Sequence, residues 1–212
     1  MSRWCAILDL MSKIEAIVFD VGGVLHESNP ALDDDLFNEL GIDADTLRNI
    51  RANEMLLLGS GKIDEQEFWN RLQNGYGIRP VSTEENILSR AFGEAIKPHT
   101  PILELAKELG ESGIKLAILS NTIEPHAKAL REAGIYDGFD YVLLSHELGM
   151  RKPVPAIYER TLEILQVEPQ ATIFVDDDPV NVDTAETLGI NGVVYTDAEK
   201  VIERIRSIIA HE

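Results

Sequence analysis

Short, almost uninterrupted apolar runs alternate with helix-period segments through most of the chain. The runs Ile14–Phe19, Lys115–Leu119, Tyr141–Leu144, Thr172–Val175 and Gly192–Tyr195 are rich in Val, Ile, Leu, Phe and Tyr. Such runs predict strands of a parallel sheet covered on both faces. Pro101–Ser112, Glu124–Ala133, Pro155–Gln166, Pro179–Leu188 and Ala198–Ile209 instead repeat their apolar residues every three or four positions, as amphipathic helices do. Pro101, Pro125, Pro155 and Pro179 lie near first turns, and Gly113, Gly134 and Gly189 follow last turns. The order predicts an α/β fold built on a doubly wound, mainly parallel sheet.

The stretch between the first two strands breaks this rhythm. From Glu27 to Lys97 it is too long for one crossover and shows helical periodicity at Leu32–Leu40, Ala44–Leu58, Asp64–Asn74 and Thr83–Ile96. It predicts a helical cap, residues 27–97, inserted into a Rossmann-like core of residues 13–26 and 98–212. Pro30 and Lys97-Pro98-His99-Thr100-Pro101 read as hinges stiffened by proline. Ligands bind beyond the carboxyl ends of strands in such sheets, so the cap is expected to act as a lid. Phe68, Trp69 and Leu72 fall at helical spacing and predict the cap's small core. Met55-Leu56-Leu57-Leu58 is left open between cap packing, an apolar substrate pocket and a dimer contact. Met11-Ser12-Lys13 looks like a natural start, so residues 1–12 are expected to form an N-terminal extension.

Composition narrows the function. Nineteen Lys and Arg face 37 Asp and Glu, a formal net charge of −18. That balance speaks against nucleic acid and anionic membranes as partners, and any phosphate site must carry local positive charge. The lone Cys5 rules out an internal disulfide. No apolar run reaches the roughly 18 residues of a membrane span, and residues 1–10 make a poor signal peptide. The expectation is a cytoplasmic protein, monomeric or homodimeric.

Four strand ends carry candidate chemistry. They are Asp20 followed by Gly22-Gly23, Ser120-Asn121-Thr122, Arg151-Lys152-Pro153, and Asp176-Asp177-Asp178. Each alone has a plainer reading, as a turn, a helix cap or a solvated charge. Together, on one edge of one sheet, they suit phosphoryl transfer. Carboxylates gathered at Asp20 and Asp177 call for a cation, and oxygen ligands with open water positions suit Mg²⁺. Ser120 and nearby helix N–H groups can hold phosphate oxygens, while Lys152 supplies a point charge.

Phe19-Asp20-Val21-Gly22-Gly23-Val24-Leu25, Ile118-Leu119-Ser120-Asn121, Lys152-Pro153 and Phe174-Val175-Asp176-Asp177 resemble, in order, the four motifs of the haloacid dehalogenase-like hydrolase superfamily. The resemblance is to its helical-cap phosphatases, particularly the sugar-1-phosphate phosphatase branch and the phosphatase domain of soluble epoxide hydrolases. It implies a Mg²⁺-dependent phosphomonoester hydrolase acting on a small phosphorylated metabolite, with a sugar phosphate favoured. Asp20 would form an aspartyl-phosphate. The Asp20 side chain, the Gly22 carbonyl and Asp177 would hold the metal, with Asp176 nearby. Ser120, Asn121 and Lys152 would hold the phosphoryl group, and Asn181 would support the metal loop.

Gly22 departs from the pattern, since most phosphatases of the family carry a second Asp there for proton transfer. His26 is the nearest titratable substitute, against the plainer reading of a solvent-exposed hinge histidine. A weakened acid favours good leaving groups, hence sugar 1-phosphates over sugar 6-phosphates. The same gap leaves two alternatives, a metal-independent 2-haloacid dehalogenase and a catalytically weak phosphometabolite-binding protein. In the cap, Arg48, Arg51, Asn53 and Glu54 are the polar residues considered for specificity.

Overall fold

The computed structural model describes residues 13–29 and 32–210; the expected extension over residues 1–12, Cys5 and Pro30 lie outside the described residues. Five strands, β1 (Ala16–Phe19), β2 (Lys115–Ser120), β3 (Tyr141–Leu144), β4 (Thr172–Asp176) and β5 (Asn191–Val194), form one parallel sheet. Their order is β3-β2-β1-β4-β5. The chain winds to one side of β1 and then to the other, and this reversal opens a crevice at the strands' carboxyl ends.

The strand sequences dictate which side chains meet which layer. Ile17, Phe19, Leu116, Ile118, Ile173 and Val175 enter one core, while Ala16, Val18, Ala117, Leu119 and Phe174 enter the core on the opposite face. This two-residue alternation, apolar on both sides, explains why the runs lack polar positions.

The inserted segment is helical. It contains α1 (Leu32–Glu39), α2 (Ala44–Ala52), α3 (Glu54–Gly59), α4 (Glu65–Tyr76) and α5 (Ile87–Ala95). Then come α6 (Thr100–Glu111), α7 (Glu124–Glu132), α8 (Ser145–Leu148), α9 (Pro155–Leu165), α10 (Pro179–Thr187) and α11 (Ala198–Ala210). Two of the inserted helices expected as single rods are broken, each at an asparagine. Asn53 separates α2 from α3, and its side chain bonds back to the Asn49 carbonyl at 2.8 Å. Asn86 adopts φ +50° between a 3₁₀ turn at Thr83–Glu85 and α5. Asparagine tolerates such local departures because its short amide competes for backbone hydrogen bonds.

Phe68, Trp69 and Leu72 pack with Phe37, Ile50 and Leu88 in a core within the insert. The segments leading in and out run side by side: the Glu27 N–H donates to the Lys97 carbonyl at 2.8 Å, and the His99 N–H to the Leu25 carbonyl at 2.8 Å. Two further contacts seat the insert on the sheet edge. Ser145 Oγ donates to the Gly59 carbonyl at 2.6 Å, and Phe92 of α5 stacks on His126 of α7 with ring centres 4.0 Å apart. Gly61 lies so close to the His146 carbonyl, at φ +64°, that a side chain there would collide with it. No described helix is long and apolar enough to cross a membrane.

Candidate active site

The register brings the acids level. Phe19 pairs with Ile118 on one side and Val175 on the other, so the next residue, Asp20, stands beside Asp176. The Asp20 N–H continues the ladder by donating to the Val175 carbonyl at 2.8 Å. The backbone then turns tightly at Gly23, with φ +74°, and a side chain there would overlap the Asp177 carboxylate. Glycine is required because that carboxylate lies directly over the turn.

Lys152 is fully buried and bridges two carboxylates, with Nζ 2.7 Å from Asp20 Oδ1 and 2.6 Å from Asp176 Oδ2. Burial opposes its charge, but Asp20 and Asp176 outweigh it and raise the ammonium above its ordinary pKa. Asn121 fixes the lysine backbone reciprocally, donating from Nδ2 to the Lys152 carbonyl and accepting the Lys152 N–H, both at 2.9 Å. Lys152 is thus held at both ends.

Asp176 is saturated. Besides the lysine it accepts from the Asp178 N–H at 2.8 Å and from Asn181 Nδ2 at 3.1 and 3.2 Å. The Tyr158 hydroxyl in turn donates to the Asn181 carbonyl at 3.0 Å. Asp177, one residue later, is exposed and turned toward Asp20. Oxygens of Asp20, Asp176 and Asp177 all lie within 4.8 Å of one another. Burial pushes Asp20 from an ordinary 3.8 up to about 6, with Lys152 opposing and Asp176 adding to the rise. Asp177 is also raised, by burial and then by Asp176.

This donor set fits a divalent cation. Three close carboxylates share one ammonium, leaving two negative charges uncompensated among the described residues, and every free donor atom is a hard oxygen.

A cavity of about 190 Å³ opens beside this cluster, lined among others by Gly22, His26, Phe92, Ser120, Asn121 and His126. A neighbouring space of about 240 Å³ is lined by Arg51, Met55, Leu56, Thr122, Ile123 and Arg151 among others. A larger hollow of about 630 Å³ lies at the opposite edge of the sheet, beside Lys13, Ser112 and Lys115, and carries none of the strand-end acids. Ser120 is buried and makes no side-chain hydrogen bond among the described residues.

Several sequence expectations change here. His26 is not exposed: it is 6% accessible, packs edge-on against Phe92 and leaves Nδ1 without a partner. Its burial lowers its pKa, favouring the neutral ring. Of the cap polar residues only Arg51 lines the cavity. Arg48 pairs with Asp45, Glu54 with Arg71, and Asn53 with its own helix. Met55 and Leu56 line the cavity while Leu58 joins the cap core.

Ser145, His126 and Tyr158 were not foreseen. Ser145 follows an apolar strand as Ser120 does, so the same signal marks it. His126 and Tyr158 acquire their roles only through packing between helices.

The family model for haloacid dehalogenase-like hydrolases matches residues 14–189. The chain is a haloacid dehalogenase-like hydrolase. A sesquiterpene phosphatase of Aspergillus oryzae is 29% identical over 94% of this chain and 99% of its own. A phosphoglycolate phosphatase of Rhodospirillum rubrum is 29% identical over 86% of this chain and 79% of its own. Among solved structures, a superfamily enzyme of Bacteroides thetaiotaomicron in complex with magnesium and inorganic phosphate superposes with a TM-score of 0.72 at 26% identity. That match covers 86% of this hydrolase and 94% of the other chain.

Proposed function

We propose that this hydrolase is a Mg²⁺-dependent phosphomonoesterase acting on a small phosphorylated metabolite, with Asp20 as the phosphoryl acceptor. The observation that carries this reading is the sharing of one buried ammonium, Lys152, between two carboxylates at a strand-end crevice, with a third beside them. Asp20, Asp177 and the Gly22 carbonyl are the groups assigned to Mg²⁺, which when bound would neutralise the carboxylates and the phosphate. The phosphatase relatives and the magnesium- and phosphate-bound neighbour support the assignment.

Each chain residue has a defined task. The Asp20 carboxylate attacks phosphorus in line, forming an Asp–O–P bond as the bond to the leaving oxygen breaks. Lys152 keeps Asp20 oriented and offers positive charge to the phosphoryl oxygens. Ser120, buried with its hydroxyl uncommitted, donates to one of those oxygens, and Asn121 holds Lys152 in place. Asp176 and Asn181 brace the lysine from behind. Water then cleaves the acyl phosphate and restores Asp20.

A good leaving group fits this site best, because Gly22 provides no side-chain acid and His26 is held neutral. A sugar 1-phosphate is therefore favoured over a sugar 6-phosphate. A panel of phosphate esters assayed with Mg²⁺ and with chelator tests the reading: hydrolysis that disappears with chelator supports it, and chelator-resistant dehalogenation of 2-haloacids would replace it.

A further inference from the structure

Ser145 is 1% exposed and stands where three parts of the chain meet: the end of β3, the loop after β2 and the end of the cap helix α3. Its hydroxyl accepts the Thr122 N–H at 3.0 Å and reaches two carbonyl acceptors, Gly59 of the cap at 2.6 Å and Thr122 of the core at 3.1 Å. A serine hydroxyl carries one proton, so only one of these carbonyls can take it at full strength. The shorter distance gives it to the cap.

The bond that Ser145 accepts bears on the loop assigned to phosphate. Holding the Thr122 N–H holds the planar Asn121–Thr122 peptide, and the Asn121 side chain in turn grips the N–H and carbonyl of Lys152, both at 2.9 Å. Ser120 immediately precedes Asn121. The bond that Ser145 donates bears on the cap. Beside it Gly61 lies against the His146 carbonyl, at a spacing that admits no side chain, so the cap meets the start of α8 through its own backbone. When the cap lifts, water can reach the Gly59 carbonyl and the serine proton has the Thr122 carbonyl already within reach. Neither state strands a buried polar group.

We propose that Ser145 is a positioning residue that ties the seating of the cap to the loop carrying Ser120 and Asn121, its proton bonding Gly59 with the cap seated and Thr122 with the cap lifted. This rests on the phosphomonoesterase reading for the role of that loop. Phosphate binding and cap seating then favour each other, since a coupling between two sites is reciprocal.

Hydrogen exchange of the intact protein, followed by NMR, reads the tie without any ligand. In Ser145→Ala the Thr122 amide should exchange about tenfold or more faster than in the wild type, the scale of one hydrogen bond. Calorimetry with Mg²⁺ and inorganic phosphate then reads its reach into the site. Ser145→Ala should weaken phosphate by about tenfold and leave Mg²⁺ affinity measured without phosphate unchanged, because Ser145 touches none of the groups assigned to the metal. Gly61→Ala, which forces the cap off the His146 carbonyl and leaves Ser145 in place, should weaken phosphate too. The double variant should lose less than the product of the two single losses. Ser145→Cys, which keeps the volume with a weak donor, carries the same comparisons if the alanine variant does not fold. Unchanged Thr122 exchange, phosphate and Mg²⁺ affinities that fall together, or single losses that multiply would overturn the proposal. Wild-type protein that binds Mg²⁺ but no inorganic phosphate would count against the phosphomonoesterase reading, and Thr122 exchange alone would then decide the tie.

Discussion

Lys152 Nζ lies 2.6 Å from Asp176 Oδ2, and both groups are shut away from solvent. Its neighbour Asp177 is exposed and spans the turn at Gly23. Two adjacent carboxylates thus stand differently, one bracing the buried lysine and one facing the proposed metal site. Asp176→Ala leaves a buried ammonium with half its compensation and should cost about 3–5 kcal/mol of stability in denaturant unfolding. Asp177→Ala should change stability by less than about 0.5 kcal/mol in the metal-free protein while weakening Mg²⁺ binding by about tenfold or more. Equal stability losses would show that the two carboxylates are not divided in this way.

Gly22 has open space where a side chain would begin, and its backbone does not occupy the left-handed region. An aspartate there is sterically admissible. Gly22→Asp should raise turnover of a sugar 6-phosphate by about 10²-fold, the scale of general acid–base catalysis, and raise a sugar 1-phosphate much less. Equal gains on both, or none on either, would show that leaving-group protonation does not limit the wild-type enzyme.

Much of this was legible in the sequence. Prolines and glycines punctuate the helices of the core, and apolar runs mark its strands, because local conformational limits act wherever these residues stand. The convergence of Asp20, Ser120 and Asp176 follows from parallel register, since each closes or directly follows a strand, whereas Lys152 reaches them from the loop beyond α8 and is held there by Asn121. What periodicity does not carry is packing between distant elements. The burial of His26 depends on Phe92, and the approach of Arg51 to the cleft depends on how the cap is seated. The helix breaks at Asn53 and Asn86 were hidden because apolar spacing continues across them. Nor does sequence adjacency separate Asp176 from Asp177: one closes β4 and turns inward, while the other begins the loop.

Protons and Mg²⁺ should compete at the same oxygens. Metal-free Asp20 is raised to about 6, and Asp177 is raised too, so at pH 5 the unliganded site holds a proton that the cation must displace. Mg²⁺ affinity should therefore rise as pH rises, by about tenfold per unit below pH 6 for each proton displaced, and flatten above it. Titration calorimetry between pH 5 and pH 8, in buffers of different ionisation enthalpy, measures both affinity and proton release. Affinity that stays constant from pH 5 to pH 7 would contradict the raised Asp20 value.

The proposed role of Asp20 is open to direct observation. Rapid mixing with a phosphate ester and Mg²⁺, followed by acid quench, proteolysis and mass spectrometry, locates any covalent phosphoryl group. The expected result is a phosphoryl group on the peptide containing Asp20, dependent on Mg²⁺ and absent from a folded, inactive Asp20→Asn protein. A phosphoryl group on another residue, or sustained phosphate-ester hydrolysis by Asp20→Asn, would contradict the assignment of Asp20 as the nucleophile.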